Sequence, residues 1–111
     1  MLNQLIICGR IASMEDKELD GTKVKEVIIA IPRPYKNVDG SYDTDFIPIV
    51  LNGTIADTTC EYCKKGDVVG IKGSIRSFKS EKAQYPFYLQ AEKVSFLSSG
   101  AKTSDEEEED D

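Results

Sequence analysis

A small all-β barrel of five strands, with one short helix between the third strand and the fourth, is the fold class that the sequence predicts. Three observations carry the prediction. Turn residues cut the first 98 residues into short runs rich in β-branched side chains. Glycines stand inside those runs, at Gly9, Gly70 and Gly73, where strands bending around a barrel need them. One stretch, from Thr54 to Lys65, carries the start and stop signals of a helix.

The elements follow in order. Leu5 to Ala12 is the first strand, with Gly9 expected as a bulge or a bend. Val24 to Ile31 is the second. Pro32, Pro34, Asn37, Asp39 and Gly40 then mark a long polar loop, RPYKNVDGSYDTD, which carries two tyrosines. A loop of that length in a small domain points to function. Thr44 to Leu51 is the third strand. Thr54 suits the helix start, Lys64 and Lys65 its negative end, and Gly66 its stop. Asp67 to Phe78 is the fourth strand, Lys79 to Gln84 a polar hairpin loop, and Pro86 to Leu97 the fifth strand. Within the fifth, Phe87, Leu89 and Ala91 fall on one face and Val94 and Phe96 on the other, so a bulge near Glu92 and Lys93 would turn both sets inward. Five bent strands with one helix after the third are the order of an OB-fold.

Residues 1–98 form one domain on this reading, and 99–111 a linker and an acidic tail. Residues 105–111 are all carboxylates. Of 20 acidic residues, taking away those seven leaves 13 against 14 basic ones, so the body is close to +1 although the chain is −6. A run of like charge repels itself and buries nothing, so it is expected to be disordered. Two readings of it stand: a solubility tail, or an anionic arm that competes with nucleic acid or recruits a partner. No run approaches the roughly 20 apolar residues that span a bilayer. The first residues, MLNQLIICGRI, lack a basic region and a cleavage site, so a cytoplasmic protein with no membrane partner is expected.

The chemistry of the chain argues against catalysis. It has no His and no Trp, and three cysteines. Cys60 and Cys63 form a C-x-x-C pair, but four N/S ligands for zinc are not available. Neither a βαβ context for a redox pair nor a glycine-rich phosphate loop is present. Ile55, Ala56, Cys60 and Cys63 instead suit one helix face packed on a core. No metal site and no cofactor are expected.

Period-two alternation separates two faces. Ile47, Ile49 and Leu51 share one side of the third strand; Phe46, Pro48, Val50 and Asn52 share the other. In the fourth, Val69, Ile71 and Ile75 oppose Lys72, Ser74, Arg76 and Phe78. Burying the aliphatic sides leaves Phe46, Lys72, Arg76 and Phe78 outside. Aromatic rings stack on bases and Lys/Arg neutralise phosphates, which is how single strands are held without reading sequence. Arg33, Tyr35 and Lys36 in the long loop, with Lys79, Lys82 and Tyr85 in the last hairpin, extend the mixture. A body near +1 is a weak electrostatic footprint for such a binder.

Four segments in order, NQLIICGRI, TDFIPIVLNG, CEYCKKGDVVGIKGSIRS and AEKVSFLS, resemble bacterial single-stranded DNA-binding proteins, over about residues 1–98. The resemblance implies an OB-fold, a homotetramer, sequence-tolerant binding of single-stranded DNA without catalysis, and a role in replication, recombination and repair. It places Phe46 and Tyr35 at base-stacking positions and Arg10 at a first-strand site facing DNA. Arg76 and Lys79 fall in the basic stretch before the last hairpin. Two departures stand out. Asn52 occupies a place before Gly53 where the family commonly has Trp or Phe. The acidic run stops at Asp111 without the family's apolar tip, so replication and repair partners are not expected to dock by that route. The alternative is an OB-type interaction or assembly module with little DNA affinity.

Overall fold

The computed structural model describes residues 1–19, 21–78 and 87–100. Lys79, Lys82, Tyr85 and the acidic run lie outside the described residues. The elements are β1 (Leu5–Leu19), β2 (Thr22–Lys36), β3 (Tyr42–Leu51), α1 (Gly53–Tyr62), β4 (Val68–Ser77) and β5 (Phe87–Ser98). The strands close into a barrel in the order β1-β2-β3-β5-β4. Neighbours are antiparallel except β3 and β5, which meet in parallel at Val50 and Gln90. This is the five-strand, one-helix OB architecture that the sequence predicts.

Alternation builds the interior. Ile11, Val27, Ile29, Ile49, Leu51, Val69, Ile71 and Ala91 point inward from all five strands, with Cys63 beyond the end of α1. Burying one large aliphatic side chain is worth about 1.5–3 kcal/mol, so the barrel is held chiefly by β-branched packing. Ile55 and Ala56 of α1 rest against this cluster.

The strands are longer than the apolar runs that mark them. β1 and β2 continue as a hairpin ribbon to the pair Leu19–Thr22, with Gly21 at φ 85° in the turn. Its charged residues hide the ladder from a hydrophobicity reading, although Asp20-Gly21 is a hairpin signal. The β1 bulge falls at Ala12, because Ile11 pairs with Ile29 and Ser13 with Ile28. Gly9 is therefore not the bulge. It is a point of close approach, where a Cβ would stand 2.5 Å from the Ala30 carbonyl oxygen.

The expected loop after Ile31 is largely strand as well. β2 and β3 extend past the barrel as an arm, turning through Asn37–Ser41. Between the pairs Pro32–Thr44 and Lys36–Tyr42, three residues of β2 face one of β3. Pro32 and Pro34 have no N–H to give the ladder, which is why the register slips there.

Three further differences concern the helix and the faces. The helix runs from Gly53 to Tyr62, with Asn52 as N-cap and no side-chain cap bond, so it starts before Thr54 and stops short of Lys64. Cys60 is exposed whereas Thr59 and Cys63 are buried, so Cys60 does not join the packed face. Burial pushes the Cys63 thiol pKa up. Ile75, Phe87 and Phe96, read as inward, are exposed, and Val50 and Ser74, read as outward, are buried. Ile75 lies past the β1–β4 ladder, where Asn3 bonds to its backbone N–H and C=O. Val50 sits at the β3–β5 seam. The bulge near Glu92 is present: Lys72 pairs with Lys93 and Gly73 with Ala91, leaving Glu92 unpaired in the ladder. Among the described residues, no helix is long and apolar enough to cross a membrane.

Candidate nucleic-acid interface

The registers show which outward side chains become neighbours. Arg10 pairs with Ala30, and Ala30 with Phe46. These three therefore form one row across β1, β2 and β3 on the outside of the barrel. With strands about 4.8 Å apart, the ring and the guanidinium stem are separated by roughly 10 Å. Ala30 between them is small, so the floor between ring and cation is low. Phe46 is 61% exposed. Arg10 is exposed and donates one Nη1 bond to the Gly66 carbonyl at 3.1 Å, which fixes its direction. Gly66 holds its place with φ 96° and an N–H bond to the Ile11 carbonyl.

Along β1 the outward positions run Arg10, Cys8, Ile6. Ile6 pairs with Lys72, and Lys72 with Lys93 across the β4–β5 ladder. Two exposed ammonium groups thus share one side beyond Ile6. Lys93 was not legible as part of the site, because its partner depends on where the β5 bulge falls.

A second patch forms at the start of the last hairpin. Arg76 pairs with Tyr88, and the Phe78 and Tyr88 rings meet at 4.9 Å between centroids, tilted by 46°. Phe78 is half-buried by that contact. Arg76 bonds to Ser74 Oγ at 3.0 Å and stands 3.9 Å from Glu92, so its charge is partly balanced. Asn52 opens beside this patch. It lines a hollow of about 210 Å³ with Ser77, Tyr88 and Gln90, and its Oδ1 accepts from Gln90 Nε2 at 3.3 Å.

The arm is two-sided. Tyr42, Thr44 and Phe46 share one side of β3; Asp43 and Asp45 share the other. Arg33 lies with the acids. Its Nη2 is 2.9 Å from Asp45 Oδ1, its Nε 3.2 Å from Oδ2, and its Nη1 3.9 Å from Asp43. Arg33 is thus engaged by carboxylates and is not the free cation that its sequence position suggests. The bond from Arg33 holds the Asp45 carboxyl below its usual pKa, and Asp45 raises that of Arg33. Tyr35 is 66% exposed and Lys36 is exposed. Lys36 pairs with Tyr42, so it belongs to the Phe46 side.

The structure thus gathers Arg10, Phe46 and Lys72 on the outer barrel and Arg76 and Phe78 at the hairpin base. It keeps Lys36 and Tyr35 on the arm and pairs Arg33 with Asp45. A model of the single-strand binding protein family matches residues 2–97, which includes every one of these residues. The chain belongs to the single-strand binding protein family. A single-stranded DNA-binding protein of Clostridium tetani is 34% identical, over 93% of this chain and 75% of that protein. Single-stranded DNA-binding protein B of Bacillus subtilis is 32% identical, over 87% of this chain and 91% of that protein. Both family members are named as binding proteins, in agreement with a non-catalytic chain.

Two solved structures share the fold. One is an SSB complex with ssDNA from Plasmodium falciparum, with TM-score 0.65 and 24% identity over 88% of this chain and 96% of that one. The other is a mitochondrial single-stranded DNA binding protein of S. cerevisiae, with TM-score 0.67 and 23% identity over 90% and 99%. The match to the family ends at the last residue but one of β5.

Proposed function

We propose that this family member binds single-stranded DNA without reading its sequence, and that it coats strands exposed in replication, recombination and repair. The observation that carries the reading is the outer row of Arg10, Ala30 and Phe46, with Lys72 and Lys93 further along the same face. An exposed ring accepts any base, and cations placed around it take up phosphates. Tyr35 and Lys36 on the arm, and Arg76, Phe78, Lys79 and Tyr85 around the last hairpin, belong to the same proposed surface.

The protein is further proposed to act as a homotetramer in the cytoplasm, associated with the nucleoid. Exposed apolar side chains support assembly: Ile6, Ile75, Phe96 and Leu97 offer apolar surface that a partner subunit would cover. The same side chains favour the second reading, an OB-type assembly module. Titration with oligo(dT), followed by tyrosine fluorescence and by sizing, separates the two. Quenching with formation of a defined complex supports DNA binding; an unchanged spectrum and an unchanged size leave the assembly module.

A further inference from the structure

The arm carries an aromatic residue that the resemblance to the family does not assign. Tyr42 begins β3, is 51% exposed, and stands on the same side as Thr44 and Phe46. Four residues of strand put it about 13 Å from Phe46. β3 itself is regular between them, since the register slip lies on the β2 side of the ladder. Opposite Tyr42 stands Lys36, so a ring and an ammonium are placed together at that end of the arm, as a ring and a guanidinium are at the other.

The other side of the arm is closed to phosphates. Arg33 is clipped to Asp45 by bonds from Nε and Nη2, and Asn37 Nδ2 bonds to Asp43 Oδ1 at 3.0 Å. These side-chain ties join β2 and the turn after it to β3 on the Asp43 and Asp45 side, opposite Tyr42 and Phe46. From Arg33 to Asp45 there are two basic residues and three acidic ones. A strand that follows the arm is repelled from the Asp43 and Asp45 side and meets Lys36 on the Tyr42 side.

We infer that Tyr42 is a base-stacking platform in line with Phe46, with Lys36 beside it as its phosphate partner. The inference rests on the single-stranded DNA reading and extends that site along the outer side of the arm. The strand is held by two rings on one β-strand, with intervening nucleotides bridging the gap.

The test is binding of a fluorescent oligo(dT) to the intact protein, its Tyr42→Ala and Tyr42→Phe variants, and Lys36→Ala. Loss of one stacked base is about a 5- to 150-fold loss of affinity. Tyr42→Ala is expected to weaken binding by at least 5-fold with an unchanged salt slope. Tyr42→Phe is expected to stay within 2-fold, because the ring face and not the hydroxyl is used. Lys36→Ala is expected to flatten the slope of log K against log salt by about 0.7. Thermal melts of each variant show that it is folded, and Tyr42→Phe keeps the ring if the alanine variant does not fold. A folded Tyr42→Ala protein with wild-type affinity overturns the inference while wild-type binding preserves the reading beneath it. A Tyr42→Phe variant as weak as Tyr42→Ala also overturns it. Wild-type protein that does not bind overturns both.

Discussion

Removal of the Phe46 ring is the most direct test of the outer row. Phe46 is 61% exposed and its cross-strand neighbour is Ala30, so little packing depends on it. Fully burying a Phe side chain is worth up to about 3 kcal/mol. With less than half of this ring covered, truncation costs the fold about 1 kcal/mol. Binding is affected differently. A base stacked on an aromatic contributes about 1–3 kcal/mol, so Phe46→Ala is expected to raise Kd by about 5- to 150-fold. Phe46→Trp, with a larger face, is expected to keep or gain affinity. Fluorescence polarisation of a labelled oligo(dT) at two salt concentrations gives both affinity and slope. The slope is expected to stay the same, because no charge is removed. A folded Phe46→Ala protein with wild-type affinity refutes the assignment of the row. Weaker binding with a changed slope refutes it too, because the loss then lies in the cations.

Three other outcomes follow from the same geometry. Asn52→Trp is expected to fill the hollow beside Tyr88, add a ring to the Phe78–Tyr88 pair and tighten binding to oligo(dT), with little change in melting temperature; weaker binding refutes it. Because Arg33 holds the folded pKa of Asp45 below its unfolded value of about 3.9, the stabilisation is present above that value and fades as pH falls through the folded one. Melting curves of wild type and Asp45→Asn are therefore expected to differ slightly near neutrality and to converge in acid, the difference being small because both partners are exposed. Removal of 101–111 is expected to tighten DNA binding most at low salt, as charge competition by seven carboxylates predicts: Gly100, the last described residue, bonds to Asp67 beside Gly66, whose carbonyl accepts from Arg10.

The barrel was legible because its signals are local. β-Branched runs, turn residues and two-residue alternation gave the five strands, their order around one helix, and the inward set Ile49, Leu51, Val69 and Ile71. The bulge at Glu92 was legible for the same reason, as a change of parity within one strand. The arm was not. Its strands hold prolines, aspartates and a bulge, so no apolar period marks them, and a ladder made by distant residues leaves no local trace. Arg33 shows the cost of this. A basic residue in a polar loop reads as free, and only the pairing of Ile31 with Asp45 brings the carboxylate to it. Lys93 and Tyr42 were missed for the same reason in reverse, since only the register places them beside Lys72 and Lys36.

The charge pattern then says what kind of binder this surface makes. A body near +1 attracts a polyanion weakly at long range, and the arm from Arg33 to Asp45 is itself acidic by one charge. Arg33 is spent on Asp45, and Arg76 is shared with Glu92. Arg10, Lys36, Lys72 and Lys93 remain on the outer face without an ion pair among the described residues. Four phosphates neutralised on a single strand give a salt slope of roughly 3. Phe46 and Tyr42 together, at about 1–3 kcal/mol each, are of the same order as that electrostatic share and do not fade with salt. On the proposed site the strand is thus held by rings as well as by charge. That division explains how a chain with so little positive charge can serve a family whose ligand is a polyanion.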